Sequence, residues 1–428
     1  MKVSAITLGC KVNQYETQAM LALMERAGFS LCDGPADVVV INSCTVTAQS
    51  DHKVRQALHR ARRENPDAVL VLTGCMPQAF PDRAAALENA DIVLGNANRA
   101  SLPEHVRSYL STHQRIVDIQ PHGGAFEPMQ VTDFHEHTRA FVKIEDGCNR
   151  FCSYCIIPYA RGRVRSKPLE DLKAELAALG AHGYREAVLT GINLSAYGQE
   201  LGLSLCDAVE AACAVPGIAR VRLGSLEPEL LGEAVVQRLA RQEKLCPQFH
   251  LALQSGCDAT LQRMNRHYDT AEYRAIAAHL RAFFPNAALT TDLMAGFPGE
   301  TEAEFSQSLA FVEEMDFAKV HVFAYSRRPG TRAAAFPGQV PNAVKTHRSA
   351  AVIAAAARTR RAFLEAQLGR TEEVLFEQQK QPGVWVGYTR NYTPVSCASG
   401  EPLAGRLLQV RLAGLAGDGC QGALCPDA

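Results

Sequence analysis

A charge excess of either sign is missing from this chain. Lys and Arg together number 44 and Asp and Glu 45, a formal net charge of −1 over 428 residues. No global electrostatic pull toward a polyanion follows from that balance, so any affinity for nucleic acid must come from local patches. Also missing is an apolar run long enough to span a bilayer. The opening Met1–Cys10 reads as a short strand running into Gly9, too brief for a signal peptide. The expectation is a cytoplasmic protein with no membrane partner, whose thiols stay reduced and form no disulfide framework. The length exceeds one ordinary core and implies two or three domains. What is plentiful is cysteine, with 14 residues, and in a reducing compartment that number points to metal or cluster ligation.

The densest cysteine signal is Gly147-Cys148-Asn149-Arg150-Phe151-Cys152-Ser153-Tyr154-Cys155, a C-x3-C-x2-C spacing with no fourth cysteine nearby. A structural zinc site closes with four protein ligands. A cubane iron–sulfur cluster takes one ligand per iron, so three cysteines leave one iron open to a small molecule. A zinc loop completed by histidine or a distant cysteine, or three unrelated buried thiols, are the alternatives to that reading. The spacing, with aromatic Tyr154 before the last cysteine, resembles the radical S-adenosylmethionine (SAM) enzymes. That resemblance implies that the open iron binds SAM and that cluster reduction cleaves it to a 5′-deoxyadenosyl radical.

Over residues 1–120, strand-like runs at Val3–Leu8, Val38–Ile41, Val69–Leu72 and Ile92–Leu94 alternate with amphipathic stretches such as Glu16–Ala27 and Asp51–Arg63. Such alternation predicts a doubly wound parallel sheet, with its ligand edge at the carboxyl ends of the strands. Cys10, Cys44 and Cys75 each fall one to three residues past a strand end. Each alone is more simply a small buried hydrophobe, but at equivalent positions they make a second cluster site. Gly9-Cys10-Lys11-Val12-Asn13-Gln14-Tyr15-Glu16, Asn42-Ser43-Cys44-Thr45-Val46-Thr47 and Thr73-Gly74-Cys75 resemble the cysteine motifs of the methylthiotransferase family. The wording is nearest the branch that modifies N6-threonylcarbamoyladenosine beside the tRNA anticodon; Ser43 stands where that branch usually has Thr. The basic face of the Asp51–Arg63 helix is either solvated or a phosphate contact.

Residues 134–368 carry strand-like runs at Phe141–Ile144, Ala187–Leu189, Val221–Leu223, His250–Leu253, Leu289–Leu293 and Lys319–Tyr325. Six β/α units predict a partial barrel of the TIM kind, active at the carboxyl ends of its strands. A polar, glycine-containing stretch from His122 to Thr138 is expected to be the linker before it. Gly191, which lets backbone approach closely, and Glu227 follow the second and third strands and are the expected SAM-binding residues. Arg161, Arg163, Arg165 and Lys167, four cations in seven residues, suit a phosphate-binding rim. Arg327 is a further RNA candidate, since a bidentate arginine there matches a phosphate or the threonylcarbamoyl carboxylate. Cys206, Cys213, Cys246 and Cys257 lack ligand spacing and read as structural.

Residues 369–428 return to strands at Glu373–Phe376, Val384–Tyr388 and Leu407–Leu412. This module resembles the TRAM domain, a small RNA-binding β-barrel. Tyr388 and Tyr392 are expected to stack on bases and Arg390 to meet phosphate, with Trp385 filling the core. Cys397, Cys420 and Cys425 receive no role.

The resemblance covers essentially the whole chain. It implies two [4Fe-4S] clusters, one on Cys10, Cys44 and Cys75 and one on Cys148, Cys152 and Cys155, with SAM as methyl donor and radical source. The implied reaction is methylthiolation of C2 of the modified adenosine at position 37, with the tRNA anticodon stem-loop and an unnamed electron donor as partners. No catalytic acid–base pair or nucleophile is called for, because the cofactors carry the hard chemistry. The rival substrates are N6-isopentenyladenosine tRNA and a ribosomal-protein aspartate. The rival from another class is a non-catalytic zinc RNA-binding protein.

Overall fold

The computed structural model describes residues 1–131 and 138–425. Residues 132–137 of the expected linker, and with them the expected start of the second domain at 134, lie outside the described residues.

The first sheet has six strands: β1 (Lys2–Thr7), β2 (Ser30–Leu31), β3 (Val38–Ser43), β4 (Val69–Gly74), β5 (Ile92–Leu94) and β6 (Ile116–Asp118). Their spatial order is β2-β1-β3-β4-β5-β6, and every pair is parallel. The runs Val38–Ser43 and Val69–Gly74 are buried along their whole length, as expected of strands covered on both faces. Val39, Ile41, Leu70 and Leu72 pack with Val54 and Leu58 of α2 (Ala48–Glu64) on one side. Val38, Val40, Val69 and Val71 pack with Met20 and Met24 of α1 (Lys11–Arg26) on the other. The short strands β2 and β6 were not legible in the sequence, and α1 begins five residues before the expected Glu16.

The order reverses between β1 and β3, the switch point at which doubly wound sheets bind ligands. Thr7 is in register with Asn42, Asn42 with Thr73, and Ser43 with Gly74. Cys10, Cys44 and Cys75 therefore leave three adjacent strands at the same level.

Six parallel strand positions form an open second barrel: β7 (Ala140–Lys143), β10 (Glu186–Thr190), β11 (Arg220–Leu223) continuing as β12 (Ser225–Leu226), β13 (Gln248–Leu251), β14 (Ala288–Ala295) and β15 (Lys319–Ala324). The break at Gly224 splits the third strand, whose amide still donates to Leu189 O at 2.8 Å. The fourth strand starts two residues earlier than its apolar run suggested. Between β7 and β10 a hairpin of β8 (Glu145–Asp146) and β9 (Arg165–Ser166) closes the cysteine loop at its base.

The C-terminal module is a closed barrel of β16 (Thr371–Gln381), β17 (Val384–Thr389), β18 (Pro394–Ala398), β20 (Gly419–Leu424) and β19 (Leu407–Ala416), in that order. Trp385, Val374, Phe376, Val410, Cys397 and Cys420 share its core, so these two cysteines act as small hydrophobes. Cys206, Cys213, Cys246 and Cys257 are likewise buried. No helix among the described residues is long and apolar enough to cross a membrane.

Candidate active site: two cysteine triads joined by buried charges

Two glycines shape the first triad. Gly74 has φ +103°, and a Cβ there would lie 2.4 Å from Ser43 O. Gly9 has φ +133°, with a hypothetical Cβ 3.0 Å from the Cys44 Cβ. Both conformations are costly for an L side chain. Gly74→Ala is expected to destabilise the protein by more than about 1 kcal/mol and to lower its iron content, as urea unfolding and iron analysis of anaerobic protein would show. Unchanged iron would mean that Cys75 does not depend on this turn. Cys75 is buried and Cys44 half-buried, while Cys10 keeps open surface beside them. Burial pushes the Cys75 thiol up to about 12, with Cys44 and Cys10 adding to the rise.

The second triad occupies the loop after β7. Gly147, at φ +92°, brings the loop base within 2.0 Å of a would-be Cβ contact with Arg163 O. Cys148 N donates to Gly162 O at 3.0 Å. Phe151 sits at φ +51°, and Asn265 Nδ2 donates to the carbonyls of Arg150 and Phe151 at 3.2 and 3.3 Å. Burial pushes Cys148 up to about 11, and Cys152 and Cys155 also upward. The bare Cys75, Cys148, Cys152 and Cys155 thiols stay protonated at neutral pH, so a thiolate there needs the charge of a bound metal. Among the described residues no three His, Cys, Asp or Glu side chains converge on a single-ion site. A cubane binds each thiolate through a different iron and so accepts a wider triad.

Acceptors without donors lie beside Cys148. Glu145 accepts from Asn193 N at 2.6 Å, yet its Oε1 and the Asn193 Oδ1 are buried with no hydrogen-bond partner. A Cβ on Gly191 would lie 2.6 Å from Glu145 Oε2, so a side chain there would displace the Glu145 carboxylate. Glu227 is ion-paired with Arg266, whose Nη1 donates to Cys152 Sγ at 3.3 Å. Burial raises the Glu227 carboxyl while Arg266 opposes the rise. Orphaned acceptors beside an open-iron triad fit the amino group of SAM. Glu145, Asn193 and Arg266 were missed in the sequence, where their signal was only their place in loops following barrel strands.

The basic run must be corrected. Arg161, Arg165 and Lys167 are buried, so they do not offer a phosphate-binding rim. Arg161 donates to Cys75 Sγ at 3.2 Å and to Asn13 Oδ1 at 2.9 Å, and pairs with Glu16. Arg165 ties its own loop through the carbonyls of Arg163 and Arg161. Lys167 is paired with Glu175. Only Arg163 is exposed, lying over the Phe151 ring at 4.7 Å.

Arg161 is one member of a buried charge cluster joining both triads. Glu16 meets Arg99 at 2.5 Å and Lys143 at 2.9 Å, Lys143 meets Asp146 at 3.2 Å, and Arg99 meets Glu127 at 2.6 Å. Arg165 also meets Asp146 at 3.6 Å, so three anions and four cations face one another between sheet and barrel, as buried charges must be paired.

A second correction concerns the C-terminal barrel. Tyr388 and Tyr392 do not stand free for bases; they stack on each other at 4.5 Å and 13°. Arg139 covers both rings at 5.2 and 5.0 Å, and Arg222 covers Tyr392 at 4.7 Å. Arg390 reaches back to Leu245 O at 3.1 Å rather than outward. Arg327 is exposed at the barrel rim, with Nε donating to Ala334 O at 2.7 Å.

An open parallel barrel with a three-cysteine loop after its first strand, and unmet acceptors beside that loop, is the arrangement of a radical SAM protein. The Radical SAM superfamily model matches residues 142–312, and the model described as "Uncharacterized protein family UPF0004" matches residues 2–95. A Thermotoga maritima protein named threonylcarbamoyladenosine tRNA methylthiotransferase MtaB is 39% identical over 90% of this chain and 89% of its own. The Bacillus subtilis protein of the same name is 36% identical over 95% and 92%. A Pelotomaculum thermopropionicum tRNA-2-methylthio-N(6)-dimethylallyladenosine synthase is 34% identical over 96% and 95%. The chain belongs to the radical SAM methylthiotransferase family and is a transferase. The fold is shared with the radical SAM methyltransferase TsrM of Kitasatospora setae, at TM-score 0.57 and 14% identity over 78% of this chain and 76% of that one.

Proposed function

We propose that the protein methylthiolates C2 of N6-threonylcarbamoyladenosine at position 37 of tRNA. The observation that carries this reading is the convergence of two cysteine triads, with Arg161 of the barrel reaching Cys75 of the sheet at 3.2 Å. The names of the relatives from Thermotoga maritima and Bacillus subtilis support the substrate. When bound, the two clusters and SAM supply hydrogen abstraction, sulfur and the methyl group.

The chain's own residues hold and tune these groups. Cys148, Cys152 and Cys155 ligate the radical cluster, and Cys10, Cys44 and Cys75 the auxiliary one. Glu145, Asn193 and Glu227, with the close backbone approach at Gly191, receive SAM. Arg161 and Arg266 each donate to one cluster thiolate, an interaction that raises a cluster's reduction potential. Arg163 and Arg327, exposed on loops of the barrel, face the phosphates of the anticodon stem-loop. The reaction takes place with tRNA in the cytoplasm and draws electrons from a separate donor.

Nucleoside mass analysis of tRNA from cells with and without the gene tests the reading. Deletion should remove the 2-methylthio form of N6-threonylcarbamoyladenosine and leave its precursor to accumulate. Loss of the isopentenyl derivative instead would keep the clusters and overturn the substrate.

A further inference from the structure

Three arginines at the floor of the open barrel already have anions. Arg220 pairs with Glu373 at 2.8 Å, Arg222 with Glu186 at 2.7 Å, and Arg139 with Glu377 at 2.5 Å. Lys11 adds a fourth cation to this corner. It is half-buried at the first position of α1, within electrostatic reach of Arg139, Arg222, Glu186 and Cys10. Across the barrel, His321 on β15 feels the same ammonium. Among the described residues Lys11 Nζ has neither a hydrogen-bond acceptor nor a carboxylate at ion-pair distance. A second donor is also unmet: Arg139 Nη1 is buried without a hydrogen bond, with Glu186 no nearer than 4.0 Å. Four cations, Lys11, Arg139, Arg220 and Arg222, thus face three carboxylates, Glu186, Glu373 and Glu377, and the ammonium left without a partner can take a further anion.

We propose that Lys11, assisted by Arg139, is a carboxylate subsite that reads the threonyl carboxylate of the substrate nucleoside. The assignment rests on the substrate reading above and adds the group that recognises it. Lys11 directly follows Cys10, a ligand of the sulfur-bearing cluster. In the adenine ring C2 and C6 flank the same atom, N1, so the N6 substituent and the carbon to be modified lie along one edge. An ammonium one residue from the cluster ligand can therefore hold the substituent's far end while C2 faces the cluster. Arg327, the other candidate for this carboxylate, is exposed with its Nε on Ala334 O, and comparing the Lys11→Met and Arg327→Met variants separates the two. A charge-assisted contact of this kind also gives specificity, because an uncharged N6 substituent leaves both donors unpaired.

The test compares two anticodon stem-loop RNAs, one bearing N6-threonylcarbamoyladenosine and one bearing the same group with its carboxylate converted to the carboxamide. Both are given to the same anaerobic, cluster-loaded preparations of wild type, Lys11→Met, Lys11→Arg and Arg327→Met. Because both RNAs meet the same preparation, loss of folded or loaded enzyme cancels from the ratio of their kcat/KM values. Wild type should prefer the carboxylate RNA by roughly tenfold to a hundredfold. Lys11→Met should bring that ratio close to one through KM, and Lys11→Arg should largely restore it. If Lys11→Met turns over too slowly to assay, the ratio of the two dissociation constants carries the same prediction. A Lys11→Met ratio equal to wild type, or a ratio erased by Arg327→Met instead, would overturn the subsite while leaving the substrate intact. A wild type that turns over neither RNA, while methylthiolating a third stem-loop bearing N6-isopentenyladenosine assayed beside them, would overturn subsite and substrate together.

Discussion

Cys44→Ala is expected to abolish methylthiolation while the protein still cleaves SAM. Cys44 leaves β3 between Cys10 and Cys75, and the three strand ends are in register. No other cysteine belongs to that edge. Its loss leaves two thiolates where three are needed, so iron should fall from about eight to about four per chain. The other triad lies in a loop held by Gly147, Gly162 and Asn265, none of which touches Cys44. Anaerobic protein reduced with dithionite should still release 5′-deoxyadenosine and form no methylthio nucleoside. Cys152→Ala should lose both activities. If Cys44→Ala still methylthiolates tRNA, the auxiliary ligand set is wrong; if it also ceases to cleave SAM, the two sites are not independent.

Glu16→Gln should be the most destabilising change outside the cysteines, at about 3–5 kcal/mol, the cost of removing one partner from a buried ion cluster. Glu16 is fully buried and faces Arg99, Arg161 and Lys143. The amide fills the same space but cannot balance three cations. Burial alone would raise the Glu16 carboxyl, but Arg161, Arg99 and Lys143 outweigh it and hold it down at about 2. A carboxyl whose folded pKa is depressed contributes stability above its unfolded pKa and loses it as pH falls toward the folded one. The gap in stability between wild type and Glu16→Gln should thus be full above about pH 4.5 and shrink toward pH 2, as urea unfolding across that range would show. A gap that does not change with pH would mean that shape rather than charge makes Glu16 necessary.

The cysteines stood out in the sequence because cluster ligation would demand one residue type at fixed places, and strand periodicity alone brought Cys10, Cys44 and Cys75 to one edge. The direction in which a side chain points was not legible. Arg161, Arg163, Arg165 and Lys167 alternate along a stretch that runs from a short helix end at Arg161 into the two-residue strand β9, and the partners Glu16, Asp146 and Glu175 are scattered over the chain. Sequence order could show four positive charges but not that three meet an acid indoors. Tyr388 and Tyr392 failed likewise: their composition suits base stacking, and only the packing of Arg139 and Arg222 decides that their faces are taken. Glu145, Asn193 and Arg266 carry no motif, and their meaning comes entirely from what stands beside them.

The C-terminal barrel is gripped through its main chain. Arg220 donates to Tyr388 O at 3.2 Å, and Arg222 to Arg390 O at 2.9 Å and Thr389 O at 3.4 Å. Both arginines stand on β11, a strand of the catalytic barrel. Side chains share the grip, with Arg222 over the Tyr392 ring and Arg220 on the Glu373 carboxylate, so the seat fixes the barrel by main chain and side chain together. The two barrels consequently behave as the arms of a caliper with a fixed opening.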